Sequence, residues 1–303
     1  MSAETRTSPK IARKPQARSR SLHDAILRVA AAYDRMSVRQ LYYQLVAHRV
    51  IDKTEQSYKR VCDAAVQLRL SGDLPYGTIA DGHRTRRGVY QHGGLRAALD
   101  NAQEMYRRNH WLDQPVHVEV WCEKDALSGV IQPVCEDYGV TYVATRGFPS
   151  VTLLYESAVS LIAVGKPASI FYFGDHDASG RAISGTLEAG LRQHGADATV
   201  HRVALNPDQI AAYGLPTRPG KWTDSRHAAF AARYGDACVE LDALPPDALT
   251  RLVEQEIVAM IDRDAWHRAQ QIEAMERETF ASIAAIGWEP GATYYKPEGN
   301  GAA

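Results

Sequence analysis

From residue 116 onward, short apolar strands alternate with helices, and this rhythm limits the possible folds more than any other feature. Strands are expected at residues 116–121, 140–144, 169–174 and 199–204. Helices are expected between them, at about 126–138, 151–164 and 180–194. Strands and helices that alternate in this order predict a parallel sheet with helices on both faces. The second half of the chain is therefore predicted to be an α/β domain, with more helix after residue 248.

Residues 21–111 are helical in pattern instead. One helix starts behind Ser21, a second opens at Ser37, where Gln40 completes a capping box, and a third spans about 54–70. Short helices joined by tight links, followed by a stretch marked by Gly and Pro, are typical of a helix-turn-helix or winged-helix domain that binds DNA. Three arginines lie where a wing is expected and are candidate DNA contacts: Arg84, Arg86 and Arg87.

Charge is distributed unevenly along the chain. Residues 1–111 contain 20 Lys and Arg against 10 Asp and Glu, whereas residues 112–303 contain 15 against 26. A basic half joined to an acidic half favours a nucleic-acid partner, although uneven surface charge without a partner is the alternative. Four segments are predicted: a disordered basic arm at 1–20, the helical domain at 21–111, the α/β domain with a helical C-terminal extension at 112–286, and a flexible tail at 287–303.

Composition excludes several classes of protein. Hydrophobic residues make up 45% of the chain and charged residues 23%, close to the averages for soluble globular proteins. No apolar run reaches the roughly 18 residues that a membrane helix needs, and the N-terminus has no apolar signal region. The four cysteines form no Cys-x-x-Cys pair, which argues against a zinc site and a disulfide scaffold. We therefore expect a cytoplasmic, nucleoid-associated protein without a membrane partner.

Two of the expected strands end in acidic residues. The first leads into Glu123, and another leads into Asp175 and Asp177. Because ligands bind at the carboxyl ends of parallel strands, these three carboxylates should gather at one edge of the sheet. A hard cation relieves the repulsion between clustered carboxylates, so we expect a site for Mg²⁺, or for Mn²⁺ in its place. An Asp-x-Asp that only caps a helix is the alternative. An EF-hand loop is disfavoured because Thr186 stands where that loop needs Glu.

The spacing of these acids resembles a known family. A strand ending in Glu, followed about fifty residues later by a strand ending in Asp-x-Asp-x-x-Gly, resembles the Toprim domain of topoisomerases, DnaG-type primases and some nucleases, over about residues 116–204. Glu-Lys-Asp-Ala at 123–126 and Arg-Gly-Phe-Pro-Ser at 146–150 are similar to the A subunit of topoisomerase VI. The resemblance implies that Glu123 is a general acid/base or a metal ligand, and that Asp175 and Asp177 hold Mg²⁺. Lys124 departs from many Toprim proteins, which have Gly at that position.

The resemblance continues in the helical domain. Residues 39–43, Arg-Gln-Leu-Tyr-Tyr, resemble the Arg-x-x-Tyr-Tyr segment of the same A subunit, in which the second tyrosine attacks DNA. Helical spacing places Tyr42 on the apolar stripe and Tyr43 on the face of Arg39, so we expect Tyr43 to be displayed beside a guanidinium. There Arg39 would orient a phosphate while Tyr43 forms a 5′-phosphotyrosyl link. A tyrosine that only packs against the helix surface is the alternative.

The leading functional interpretation is Mg²⁺-dependent DNA strand cleavage by a topoisomerase VI A-like transesterase of type IIB, with Tyr43 as the nucleophile. The resemblance implies a homodimer in which Tyr43 of one subunit meets the acids of the other. The chain has no P-loop motif, so an ATP-driven cycle would need a separate ATPase subunit. A hydrolytic Toprim nuclease that does not use Tyr43 is the first alternative, and a non-catalytic DNA-binding protein is the second. Glu240 and Asp242 end a further expected strand, at 237–241, and either supply a metal ligand or play a structural role.

DNA binding by this chain should weaken steeply as salt rises, because each phosphate contact by Lys or Arg releases a bound counter-ion. With about six such contacts, the affinity for duplex DNA should fall on the order of 10³-fold between about 50 and 200 mM salt. Fluorescence anisotropy with a labelled duplex measures the slope, and a chain starting at residue 21 should give a shallower one. A flat salt response would contradict all three interpretations.

Overall fold

The computed structural model describes residues 17–80, 91–220 and 224–285. Within these ranges the chain forms two compact units, one containing residues 17–80, 116–220 and 224–260, and the other containing residues 91–115 and 261–285. The predicted domain boundaries at residues 20, 111 and 286 stay predictions. Outside the described residues lie Arg84, Arg86 and Arg87, the tail at 287–303, and all but the last four residues of the predicted basic arm.

A four-stranded parallel sheet forms part of the first unit, which makes the fold mixed α/β. Its strands are β1 (His117–Cys122), β2 (Thr141–Ala144), β3 (Ala168–Phe173) and β4 (Ala198–Ala204), in the order β2-β1-β3-β4. All three pairings are parallel, and Val120 of β1, for example, lies opposite both Tyr142 and Phe171. The four predicted strands are confirmed to within one residue at either end.

Helices cover both faces of this sheet. Three of them connect successive strands: α5 (Ser128–Asp137), α6 (Val151–Val164) and α7 (Ala178–Gln193). Ile170 and Tyr172 of β3 are buried in one cluster with α6 and α7. Phe171 and Phe173 are also buried, and they point to the opposite face because side chains alternate along a strand. A strand that is apolar and buried along its whole length is what a covered parallel sheet requires.

Three helices precede the sheet in the chain. They are α1 (Ala17–Ala30), α2 (Val38–Ala47) and α3 (Glu55–Ser71). Each packs against the other two, and α2 carries the predicted capping box between Ser37 and Gln40. The helix expected behind Ser21 begins at Ala17 instead, so Ser21 lies inside the helix and is not its N-cap. The last four residues of the arm predicted to be disordered are therefore helical, because Ala and Arg are good helix formers. The winged-helix arrangement stays a prediction.

The chain after β4 returns to the carboxyl end of the sheet. It forms α8 (Pro207–Ala212), β5 (Arg218–Pro219), α9 (His227–Tyr234), β6 (Ala237–Cys238), a 3₁₀ turn (Leu241–Ala243) and α10 (Pro246–Ala259). β5 and β6 form a two-stranded antiparallel ribbon, and α10 packs against α5. The strand expected at 237–241 is wrong beyond Cys238, because Val239 leaves the ribbon to exchange two backbone hydrogen bonds with His176. That exchange ties residue 240 and its neighbours to the loop after β3.

The second unit contains α4 (Leu95–Met105) and α11 (Arg263–Ala285). The rings of Trp111 and Trp266 pack edge to face, with centroids 5.7 Å apart. Arg108 forms an ion pair with Glu276 of α11 at 2.7 Å. In neither unit does a described helix combine the length and the apolar character needed to cross a membrane.

Leu187 on α7 is fully buried in the cluster beneath β3. Leu187→Ala should lower the free energy of unfolding by about 2–5 kcal/mol, because it removes buried carbons and leaves a cavity. The same substitution at Leu70, which is 75% exposed on α3, should change it by less than about 0.5 kcal/mol. Urea unfolding followed by circular dichroism compares the two variants, and equal losses would show that Leu187 is not part of a packed core.

Candidate functional site

The strand order creates a crevice at one end of the sheet. From β1 the chain passes to β2 on one side and then returns to β3 on the other side of β1. Ligands in open parallel sheets bind at such a switch point, outside the carboxyl ends of the two strands. Glu123 directly follows β1, and Asp175 lies two residues after β3. The backbone N–H of Asp175 donates to Oε2 of Glu123 at 3.0 Å, so the two acidic residues meet at this crevice.

The loop after β3 is closely packed and held in one conformation. A Cβ atom at Gly180 would lie 2.2 Å from the carbonyl oxygen of Asp175 and 3.0 Å from Oε2 of Glu123, so only glycine fits there. Arg202 of β4 donates to the carbonyl oxygens of Gly174, at 3.0 Å, and Gly180, at 2.6 Å. Its guanidinium also donates to the carbonyl oxygen of Asp175. Sequence reasoning missed Arg202, and the only signal was an arginine inside a predicted strand of a covered parallel sheet.

Asp177 is placed differently from the other two predicted acids. Its Oδ1 accepts from the backbone N–H of Gly180 at 2.8 Å, which makes it the N-cap of α7. Its Oδ2 lies 3.2 Å from a guanidinium nitrogen of Arg218. It lines a small cavity of about 100 Å³ together with Arg218 and His227. The helix cap that the sequence left open as an alternative is therefore present.

A second pair of carboxylates reaches the crevice from the segment after β6. The backbone N–H of Leu241 donates to Oδ1 of Asp175 at 2.8 Å, and this bond places the acids on either side of it, Glu240 and Asp242, at the same edge. Asp242 is fully buried, and its Oδ1 has no hydrogen-bond partner among the described residues. The sequence left the role of these two acids open, because no local sequence pattern predicts that the segment after β6 packs against the loop after β3.

Lys124 lies at the centre of this acidic cluster. Its Nζ is 3.0 Å from Oδ1 of Asp175, 3.2 Å from Oε2 of Glu240 and 2.6 Å from Oδ2 of Asp242. Burial lowers the pKa of Lys124, but Asp242, Asp175 and Glu240 outweigh it and raise the pKa above its usual value. The ammonium therefore stays charged, and together with Arg39 it holds the pKa of Glu240 at about 2 in spite of burial.

Arg39 connects α2 to the same cluster. Its guanidinium donates from both Nε and Nη2 to Oε2 of Glu240, and its Nε lies 3.9 Å from Oδ2 of Asp242. An open cavity of about 740 Å³ lies over the cluster. Its lining consists of Arg39, Glu123, Lys124, Asp125, Ala126, Arg146, Asp175, Glu240 and Asp242. Three of the predicted site residues, Arg39, Glu123 and Asp175, thus line one cavity, whereas Asp177 and Tyr43 do not.

The expectation that Tyr43 is displayed at the surface is wrong. Tyr43 is 2% exposed and Tyr42 is 6% exposed, so both tyrosines are buried. α2 packs against α1, α3 and the turn at Leu241–Ala243. The prediction failed because the helical spacing of apolar residues indicates only one buried face of a helix. Burial and then Glu240 raise the pKa of Tyr43 above its usual value of 10, while Arg39 and Lys124 oppose this rise. The phenol therefore lies in the electrostatic field of the cluster but is protonated at neutral pH.

Glu123 has the ionisation behaviour of a general acid/base. Burial and then the charge of Asp175 raise its pKa from the usual 4.5 to about 7. A carboxyl group with such a pKa both holds and releases a proton near neutral pH. Oε2 of Glu123 also accepts from the hydroxyl of Tyr172 at 3.4 Å, so its position is fixed from two sides.

The donors of the cluster fit a hard cation in their chemistry, since all of them are carboxylate oxygens. Among the described residues, however, no three His, Cys, Asp or Glu side chains converge as a set of metal ligands. The cationic side chains of Lys124, Arg39 and Arg218 already engage the carboxylates of Asp175, Asp177, Glu240 and Asp242.

Comparison with models of known protein families finds no match for this chain, and comparison with curated proteins also finds none. Fold and site therefore define the protein by class alone. It is an α/β protein with a parallel sheet. Its switch-point crevice holds a cluster of carboxylates paired with Lys and Arg side chains, and an open cavity lies over the cluster.

In metal-free buffer, Glu123 should make the protein less stable as the pH rises from 4.5 to 7. The folded state keeps a proton in this window that the unfolded state releases, so unfolding becomes easier as the pH increases. Glu123→Gln removes this effect, and by pH 8 the variant should gain on the order of 3 kcal/mol relative to the native chain. Urea unfolding from pH 4 to 8 in EDTA measures the difference, with the exposed Glu136→Gln as a matched control. A difference that does not change with pH would be inconsistent with a raised pKa.

Proposed function

We propose that this protein cleaves DNA strands at the switch-point cavity in a reaction that depends on Mg²⁺, or on Mn²⁺ in its place, with Tyr43 as the nucleophile. The supporting observation is that α2 packs against the turn at Leu241–Ala243, so that Arg39 lines the same cavity as Glu123 and Asp175. The motif at residues 39–43, which suggests the tyrosine nucleophile, lies far along the chain from Glu123 and Asp175, which suggest the metal site. Their meeting at one cavity is what a shared phosphoryl-transfer site needs.

The N-terminal part of the chain is proposed to hold the DNA. Its excess of Lys and Arg supplies the charge for phosphate contacts. The three packed helices α1 to α3 suit a helix-turn-helix or winged-helix module. Arg84, Arg86 and Arg87 are proposed contacts to the DNA backbone from the predicted wing. On this proposal the protein works at the nucleoid, in the cytoplasm.

Each residue of the cavity has a proposed role. Arg39 orients the phosphate: its guanidinium leaves Glu240 and donates to phosphate oxygens instead. A guanidinium binds phosphate and carboxylate groups with the same bidentate geometry. Glu123 takes up or gives a proton near neutral pH. The cation would be held by Glu123 and Asp175, and by Asp177 once its carboxylate leaves Gly180 and Arg218. It would supply charge stabilisation for the non-bridging phosphate oxygens.

The burial of Tyr43 sets a condition on this mechanism. With 2% of its surface exposed, the phenol reaches a phosphate only after the residues that cover it move. We assign this movement to α2, which would separate from the turn at Leu241–Ala243. The contact that has to break is the ion pair between Arg39 and Glu240, and an incoming phosphate competes for the same guanidinium. A homodimer, in which Tyr43 meets the acids of the partner chain, and a separate ATPase subunit belong to the same proposal.

Hydrolysis without a tyrosine is the second candidate, and the burial of Tyr43 favours it. A phenol that is buried and has a raised pKa is a poor nucleophile. Glu123 lines the open cavity instead, with a pKa of about 7 that suits a base for an attacking water. On this alternative Arg39 still orients the phosphate, and α2 stays where it is.

A plasmid-cleavage assay separates the two candidates. Supercoiled plasmid is incubated with Mg²⁺ and the native chain, Tyr43→Phe, Tyr42→Phe or Asp175→Asn, stopped with detergent, and analysed with and without protease. We expect cleaved DNA that stays protein-bound until protease is added, no cleavage by Tyr43→Phe or Asp175→Asn, and retained cleavage by the matched control Tyr42→Phe. Tyr42 loses only a hydrogen bond to the carbonyl oxygen of Thr54, worth about 1 kcal/mol.

Two other outcomes would change the proposal. Protein-free cleaved ends that persist in Tyr43→Phe and vanish in Asp175→Asn would establish the hydrolytic nuclease. If the native chain left supercoiled, nicked and single-stranded DNA intact with both Mg²⁺ and Mn²⁺, cleavage by this chain alone would be excluded.

A further inference from the structure

The cavity is lined by more carboxylates than a single metal ion needs as ligands. Five carboxylates line it: Glu123, Asp125, Asp175, Glu240 and Asp242. A single Mg²⁺ is usually bound by only one or two carboxylates, with water and phosphate oxygens as its other ligands. The question is therefore what balances the acids that a first cation does not reach.

Lys124 has the geometry of a bound cation rather than of a surface lysine. Its side chain is only 19% exposed, and its Nζ lies within 3.2 Å of oxygens from three different acids: Asp175, Glu240 and Asp242. An ammonium has three protons and no acceptor, so three carboxylate contacts use its full capacity. The group is thus held in place from three sides.

Asp242 independently indicates that this position attracts positive charge. Its side chain is fully buried, and one of its two carboxylate oxygens, Oδ1, has no hydrogen-bond partner among the described residues. A buried carboxylate is stable only when charge and hydrogen bonds compensate it. With Oδ1 unsatisfied, Asp242 depends on the ammonium at its other oxygen.

We propose that Lys124 is a built-in cation that takes the place of a second divalent metal ion, so that the site binds one divalent cation per chain and not two. The inference rests on the proposed function only in assuming that one divalent cation binds near Glu123. A further divalent ion at Asp175, Glu240 and Asp242 would have to occupy the space of the ammonium and would be repelled by its charge. Replacing Lys124 by a neutral side chain leaves the carboxylates of Asp175, Glu240 and Asp242 without their shared ammonium, and a divalent ion that draws them together would take its place.

The test counts bound ions directly, with no DNA and no activity measurement. Mn²⁺ binding to the full chain is followed by electron paramagnetic resonance and by calorimetry for the native chain, Lys124→Gln and the charge-retaining control Lys124→Arg. We expect one Mn²⁺ per chain for the native protein and for Lys124→Arg, and two for Lys124→Gln. Adding Asp242→Asn to Lys124→Gln should weaken binding of the second ion by at least about 10-fold, because losing a ligand costs no less than losing a group that supports one.

Folding is measured alongside, because removing one partner of a buried ion pair is destabilising. If Lys124→Gln is unfolded without metal, Mn²⁺ should restore its circular dichroism spectrum, since an ion that binds only the folded state stabilises it. An unfolded variant that Mn²⁺ does not rescue would overturn the proposal. So would a folded Lys124→Gln that binds no more Mn²⁺ than the native chain, or a native chain that binds two ions.

The result also separates this inference from the proposed function. No Mn²⁺ on the native chain but one on Lys124→Gln would support the role of Lys124 and contradict the metal-dependent reaction. One Mn²⁺ on both proteins would overturn the role of Lys124 and leave the proposed reaction intact.

Discussion

The balance of charge at the carboxyl ends of β1 and β3 is the constraint on which the rest of this structure depends. Buried carboxylates repel one another and lose hydration, so they are stable only beside positive charge. Lys124 meets this need by contacting Asp175, Glu240 and Asp242 at once. Because these acids come from two distant segments, one ammonium holds the end of β1, the loop after β3 and the segment after β6 together.

Arg39 extends this constraint to the helices at the N-terminus. Its ion pair with Glu240 draws α2 onto the turn at Leu241–Ala243. Tyr43 of the same helix is buried, so the helix that brings Arg39 to the cavity also withholds the proposed nucleophile. In the proposed reaction, an anion that competes for Arg39 would release α2 from this contact. The two candidate reactions differ in whether α2 moves and, with it, in whether Tyr43 or water attacks the phosphate.

Local sequence patterns predicted much of this architecture, but they failed where a residue makes contacts with a distant part of the chain. The strands, the helices between them and the capping box of Ser37 were foreseen because each depends on neighbouring residues. The meeting of Glu123 and Asp175 followed from a rule about the carboxyl ends of parallel strands. The exposure of Tyr43 was predicted wrongly, because a helical pattern does not reveal that α2 is covered on more than one side. The strand expected at 237–241 was too long, because Val239 pairs with His176 instead.

The sequence by itself determined the class of fold and the acids at the strand ends, because apolar periodicity and short-range hydrogen bonds act over a few residues. Only the tertiary structure decided the strand order β2-β1-β3-β4, the arrival of Glu240 and Asp242 at the crevice, and the support that Arg202 gives to the loop after β3. In the sequence, Lys124 is only a departure from the pattern of many Toprim proteins. In the tertiary structure it lies at the centre of a cluster of carboxylates. These features depend on contacts between residues far apart in the chain, and such contacts leave no local pattern to read.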